Sequence, residues 1–279
     1  MDLDTILERV LALSEDNDWE GAVELLRDHL EDFKDEAAVH CWLGVVEREL
    51  GLEGVAYERF KQALALNPED PYILSTAGNG LAYFDDADAE PALRAAALMA
   101  PQVAVGRLLY GAYLVREGLF EDGLRELKAA REIDADDPQI AYELGVGHAL
   151  ARDWDRSSDA LGEAVSLDPE DGWARLVFGL VLLESGQFEE GAGEILSGAR
   201  IAEEDVDAQL AASLAMGAVG REGVAYEMLE RARIRAAEAD LALVTDVEDR
   251  LDGGHAAARE MLIEDFAPDL LRTRLNERP

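Results

Sequence analysis

The sequence predicts an all-α array of about eight helix–turn–helix repeats followed by a short C-terminal capping helix. Three observations carry this prediction. Landmarks recur about every 34 residues, as in the stretch Ala37 to Asp70. A small residue followed four positions later by a large apolar one occurs once in every repeat. Glycine or proline falls where each helix would have to stop. An i, i+4 pair shares one helical face, so the small residue lets two helices approach and the large one fills the space beside it.

With the turn glycine set at position 15, the repeats run 3–36, 37–70, 71–103, 104–137, 138–171, 172–205, 206–238 and 239–267, with a cap over 268–279. The small site is then Ala22, Ala56, Ala89, Gly123, Ser157, Gly191, Ala225 and Ala258. The large site is Leu26, Phe60, Leu93, Leu127, Leu161, Ile195, Leu229 and Leu262. Agreement at all sixteen positions makes the register specific. Gly44, Gly78, Gly111, Gly145 and Gly179 mark the crossing point of the first helices. Gly51, Gly118, Gly186, Gly220 and Gly253 mark turns, where φ > 0 is often needed. Trp19, Phe120, Trp154 and Phe188 follow turns by two residues and can pack over the hairpin. Pro68, Pro101 and Pro169 end second helices, while Asp70-Pro71 and Asp137-Pro138 read as N-cap plus first helical residue. The pattern weakens at Arg9-Val10 and Thr245-Asp246, as expected of terminal repeats. Pro268 begins the tail, Asp269 to Leu275, which is expected to cap the last hairpin, with Arg272, Arg274 and Arg278 complementing a helix C-terminus.

Composition narrows the partners. There are 61 Asp plus Glu against 25 Lys plus Arg, a formal net charge of −36. Only Lys34, Lys61 and Lys128 are lysines. Such a chain repels phosphate backbones and anionic lipid, which disfavours nucleic acid and membrane surfaces. The balance is similar to that of proteins from halophilic archaea. At about 1 M salt the Debye length is only about 3 Å, so self-repulsion is largely screened. The thermal midpoint by far-UV circular dichroism is therefore expected to be higher in about 2 M KCl than in about 0.1 M. Equal midpoints would contradict this. A single cysteine, Cys41, fits a reducing, cytoplasmic compartment. The opening MDLDTILERV carries acids where a signal peptide carries bases. The most apolar region, Ala95 to Val115, contains Pro101, Gln102 and Arg107 and reads as two amphipathic helices, not a membrane span.

No catalytic, cofactor or metal set is legible. His29, His40, His148 and His255 lack metal-ligand spacing. Cys41 has no histidine at a tell-tale position and reads as a small buried or groove-lining residue. Gly145-Val-Gly147 and Gly191-Ala-Gly193 lie inside predicted helices, not after strands, so they read as helix-crossing glycines instead of phosphate loops. Asp134-Ala-Asp136-Asp137 and Asp85-Asp86-Ala-Asp88 do not continue into a calcium loop and read as turns and caps.

The order of Leu43-Gly44, Gly51, Ala56, Phe60, Ala63 and Pro68 resembles the tetratricopeptide repeat family. That resemblance implies a right-handed superhelical α-solenoid whose first helices line a concave groove. The family's ligand-facing positions fall here on Leu7, Leu11, Cys41, Val45, Tyr72, Ser75, Asn79, Val105, Leu108, Ala112, Gln139, Tyr142 and Val146. Further along they fall on Trp173, Leu176, Leu180, Leu183, Leu210 and Leu214. Arg48, Arg116 and Glu184 are expected at the rim. The strip is apolar and aromatic, which suits an apolar or amphipathic segment of an unidentified protein or peptide. Cys41 and Val45 stand where the family's two-carboxylate clamp would need cations, which argues against acidic tails as ligands. The expected function is a non-enzymatic scaffold, adaptor or assembly factor. The alternative is a structural solenoid that oligomerises through its end faces.

Overall fold

The structure, a computed structural model, describes residues 1–277; Arg278 and the last position of the expected cap lie outside the described residues. It consists of α-helices joined by short turns, with no strand among the described residues. The chain divides into two compact units, Met1–Glu117 and Gly118–Pro279.

The N-terminal unit holds α1 (Leu3–Glu15), α2 (Trp19–His29), α3 (Ala37–Glu49), α4 (Glu53–Ala65), α5 (Pro71–Tyr83), α6 (Ala89–Met99) and α7 (Ala104–Arg116). Neighbours pair as α1 on α2, α3 on α4 and α5 on α6, with α7 packed on α5 and α6. The C-terminal unit holds α8 (Phe120–Ile133), α9 (Pro138–Leu150), α10 (Trp154–Leu167), α11 (Gly172–Glu184), α12 (Phe188–Ile201), α13 (Val206–Ala218), α14 (Glu222–Arg235), α15 (Leu241–Asp252), α16 (His255–Glu260) and α17 (Ala267–Asn276). Here too consecutive helices form hairpins, α9 with α10, α11 with α12 and α13 with α14.

All eight large-site residues are fully buried, and all eight small-site residues are buried beside them. The packing shows why the crossing point of the first helix, which faces the large site, holds glycine. A Cβ on Gly145 would come within 2.5 Å of Leu161 Cγ. Ser157 turns its size to a second use: its hydroxyl donates to the Gly145 carbonyl at 2.8 Å, fully buried. Asp70 and Asp137 cap α5 and α9 by accepting from the backbone N–H of Tyr72 and Gln139, both at 2.8 Å, with proline in the first turn.

A left-handed residue closes every hairpin, but not always a glycine. Gly51, Gly118, Gly186 and Gly220 have φ of +72°, +79°, +82° and +77°. In the first, third and fifth repeats the same place is held by Asn17, Asp85 and Arg152. In the last repeat the expectation for Gly253 is corrected: it stays right-handed at φ −70°, and Gly254 takes +85°. The second helix keeps its register nonetheless, since Ala258 and Leu262 are both fully buried.

Pro268 does not begin a separate tail. From His255 to Asn276 the backbone stays helical, because Met261–Phe266 widens into a π-helix. There the Ala267 N–H bonds back to the Leu262 carbonyl, five residues earlier. Proline lacks an N–H and crowds the preceding turn, and a wider turn is one way to accommodate it.

Candidate interaction surface

Each unit presents a first-helix face. In the N-terminal unit that face is partly open. Leu11 on α1 is 47% exposed and Tyr72 on α5 is 57% exposed. Leu7, Val45, Asn79 and Val105 are half-buried. Cys41 and Leu108 are not on the surface: both are buried, which corrects their expected place in an open groove. Cys41 packs with Phe60, Ala77 and Leu81, because the next first helix, α5, lies over it. Burial, reinforced by the charge of Asp70, pushes its thiol pKa up to about 12, so it is no thiolate at neutral pH.

In the C-terminal unit the face is covered. Tyr142, Val146, Leu176, Leu180, Leu210 and Leu214 are all buried and belong to one apolar core. Their expected exposure is therefore corrected. The physical reason is α17, which packs on α11 and reaches α9, together with α15, α16 and Met261–Phe266, which pack on α13. This also corrects the expectation that the tail caps the last hairpin; it docks two and three hairpins back along the chain. Ala267, Leu270, Leu271, Arg274 and Leu275 form its buried stripe, spaced i, i+3, i+4, i+7 and i+8, while Asp269, Arg272 and Thr273 face outward. That amphipathic spacing was the signal in the sequence, unrecognised because the stripe belongs to no repeat.

Arg274 anchors α17. Its guanidinium lies 4.1 Å from the ring centroid of Trp173, at the start of α11. Its Nη2 donates to both carboxylate oxygens of Asp205, at 3.0 and 2.9 Å, and stands 3.8 Å from Asp207. Trp173 Nε1–H donates to the Tyr142 hydroxyl at 2.9 Å, which fixes the ring on which the guanidinium rests. Asp205 also caps α13, accepting from the Ala208 N–H at 3.0 Å. Burial, with the charge of Asp205 beside it, raises the pKa of Asp207 above the usual carboxylate value.

Several other polar groups pair within the chain. Lys61 bridges Asp86 and Asp88 at 3.1 and 2.6 Å, so the acidic run at 85–88 is tied down by a cation of the chain itself. His148 is buried, and burial lowers its pKa against the opposing pull of Asp153. His40 Nε2 bonds the Lys34 carbonyl at 2.7 Å. Among the described residues no group of three or more His, Cys, Asp or Glu side chains is arranged to hold a metal ion, and no helix is long and apolar enough to cross a membrane.

Solved structures share this architecture. The chain matches 91% of its length to a tetratricopeptide repeat protein from Parabacteroides merdae ATCC 43184, with a TM-score of 0.61 at 12% identity and 98% of that chain covered. The fold is that of the tetratricopeptide repeat proteins. A thermophilic TPR protein of Thermus thermophilus gives a TM-score of 0.54 at 22% identity over 64% of this chain and 98% of that one. The Cut9–Hcn1 hetero-tetramer of the APC/C gives 0.71 at 16% identity over 90% of this chain, which spans 49% of that chain. No family model and no curated protein matches the sequence. At these identities the likeness speaks to the TPR fold; what the faces bind must come from the side chains above.

Proposed function

We propose that the chain is a protein-interaction scaffold that holds an apolar or amphipathic segment of a partner protein against the first-helix face of its N-terminal unit. The observation that carries this reading is the exposure of Leu11 and Tyr72, with Leu7, Val45, Asn79 and Val105 half-buried on the same set of first helices, in a chain of net charge −36. Large apolar and aromatic side chains held open on rigid helices are what interface hot spots are made of. The TPR fold supports an interaction role in general, and its use in the Cut9–Hcn1 hetero-tetramer is an instance of the fold within a heteromeric assembly. The proposed role is that of a non-enzymatic adaptor or assembly factor, and the acidity supports a partner without dense negative charge and a high-salt working environment of the halophilic kind.

The reading is tested by placing a photo-reactive phenylalanine at Tyr72 and, as control, at Ile234, which is 79% exposed on α14. Irradiation in source-cell extract is expected to yield one dominant cross-linked partner from position 72 and not from 234. Leu11→Asp with Val45→Asp is expected to cut that yield at least about tenfold, the loss of roughly 1.4 kcal/mol or more of binding. Equal products from both positions would remove the proposal.

A further inference from the structure

We propose that the C-terminal unit contains a guanidinium-reading helix site, formed by Trp173, Tyr142, Asp205 and Asp207, whose ligand class is an arginine-anchored amphipathic helix and whose built-in occupant is α17. The scaffold reading supplies only its biological use; the site itself stands on different residues.

Three observations carry it. First, the site is built for a guanidinium. A planar cation stacks on one face of Trp173 while two carboxylates meet its edge, and the Tyr142 hydroxyl holds the indole in place. Arginine, with its flat fork of donors, fits such a slot and lysine does not. Second, the site pairs a cation with a chain that has few to spare. Arg274 is 8% exposed, and its charge is met by Asp205, by Asp207 at 3.8 Å and, on Nη1, by Glu277 of its own segment at 3.4 Å; its buried Nε has no hydrogen-bond partner among the described residues. An incoming helix could satisfy the slot at least as well. Third, α17 rests on the core along one stripe only. An open cleft of about 300 Å³ flanks it between Asp207, Leu243, Phe266 and Thr273. A second, of about 330 Å³, flanks it between Leu150, Trp154, Glu184 and Arg272. The π-helical turn Met261–Phe266 with Pro268 just beyond is the break at which α17 can leave without unwinding α16. The ligand chemistry is read off the occupant: Leu270, Leu271 and Leu275 beside Arg274 give a helix carrying Leu-Leu-x-x-Arg-Leu.

Two measurements test this. A labelled peptide of residues 267–277 is titrated against the full chain and against full chain carrying Leu271→Asp and Arg274→Ala. A tethered helix competes at an effective concentration of about millimolar, so the peptide is expected to bind the variant at least about tenfold more tightly than the unaltered chain. Arg274→Ala within the peptide, or Asp205→Asn in the variant chain, is expected to weaken binding about tenfold or more; asparagine preserves the α13 cap, so that loss reports the charge. Equal binding with and without the peptide arginine would overturn the proposal. Hydrogen exchange on the unaltered chain gives an answer even where the variant does not fold. Amides of 270–275 are expected to exchange at least about tenfold faster than those of α11 and α13. Exchange only in step with α11 would mean that α17 never leaves, and would overturn it. A second copy donating its own α17 would appear as a dimer that the peptide dissociates, which supports the site; a dimer indifferent to the peptide counts against it. Failure at Tyr72 leaves these readouts untouched, and failure here leaves the Tyr72 cross-link untouched.

Discussion

Gly179→Ala is expected to destabilise the C-terminal unit by about 2–3 kcal/mol, although alanine is the better helix former by about 1 kcal/mol. The reason lies in what a methyl group would strike. A Cβ on Gly179 would come within 2.7 Å of the Ile195 backbone nitrogen and 2.8 Å of the Gly191 carbonyl oxygen. Across the same hairpin, a Cβ on Gly191 would meet the Gly179 carbonyl at 2.7 Å. The other end repeats the arrangement: a Cβ on Gly198 would lie 2.8 Å from the Gly172 carbonyl, and one on Gly172 would lie 2.9 Å from the Ala202 nitrogen. So α11 and α12 touch backbone to backbone at two points seven residues apart on each helix. A flexible side chain can rotate away from an intruder, whereas a helix backbone must be pushed as a whole, and dense interiors resist that. Gly193→Ala is the control. It lies on α12, where an added Cβ would meet nothing within 4 Å, and it is expected to stabilise by about 0.5–1 kcal/mol. The check is urea unfolding followed by the fluorescence of the chain's four tryptophans and, because repeat arrays need not unfold in one step, by hydrogen exchange of the α11 and α12 amides. Two shifts of the same sign would refute the close-approach account.

The second large effect is expected at Glu47. Its side chain is fully buried between α2, α3 and α4, bonded to Arg27 at 2.7 Å and Arg59 at 3.3 Å. Arg27 is about half exposed, so its own ion contact contributes little; the buried partner decides the energetics. Removing both cations with Arg27→Ala and Arg59→Ala strands the carboxylate in the interior, at a cost of about 3–5 kcal/mol. Adding Glu47→Leu to that pair is expected to recover most of the loss, because the stranded charge goes and an apolar group of similar length takes its place. Thermal unfolding of the single, double and triple variants by circular dichroism measures this. A double variant within about 1 kcal/mol of the parent, or a triple variant no better than the double, would show that burial of this charge does not govern the fold there.

The repeat register was legible because it is written in residue size. Every small-site and large-site position chosen from the sequence is buried, from Ala22 and Leu26 to Ala258 and Leu262. The turns were legible only where glycine holds them. Asn17, Asp85 and Arg152 adopt the same left-handed backbone; Asn and Asp enter it more readily than most residues but are common elsewhere and mark a turn only weakly, and Arg does not mark one. Glu47 was invisible as well, since a glutamate on an acidic chain reads as solvated until Arg27 and Arg59 are brought to it from neighbouring helices.

The interaction surface divides along the same line. The resemblance to the tetratricopeptide repeat family placed Leu11, Tyr72, Trp173 and Leu176 on first-helix faces, because the family's ligand-facing positions carry over once the repeat phase is set. Whether such a face is open depends on what arrives from far along the chain. Nothing near Trp173 or Leu176 in the sequence reveals that Arg274 and Leu275, about a hundred residues later, come to lie with them. By itself, then, the sequence determined the hairpins and their phase, because these follow from side-chain size and periodicity within some 34 residues, and the family resemblance added which positions line the first-helix faces. Only the tertiary structure decided that Tyr72 remains exposed while the Trp173 face is taken by α17. Exposure is a competition among all the apolar surfaces of a unit, and a helix with an unpaired stripe settles wherever apolar contact and a matching charge occur together.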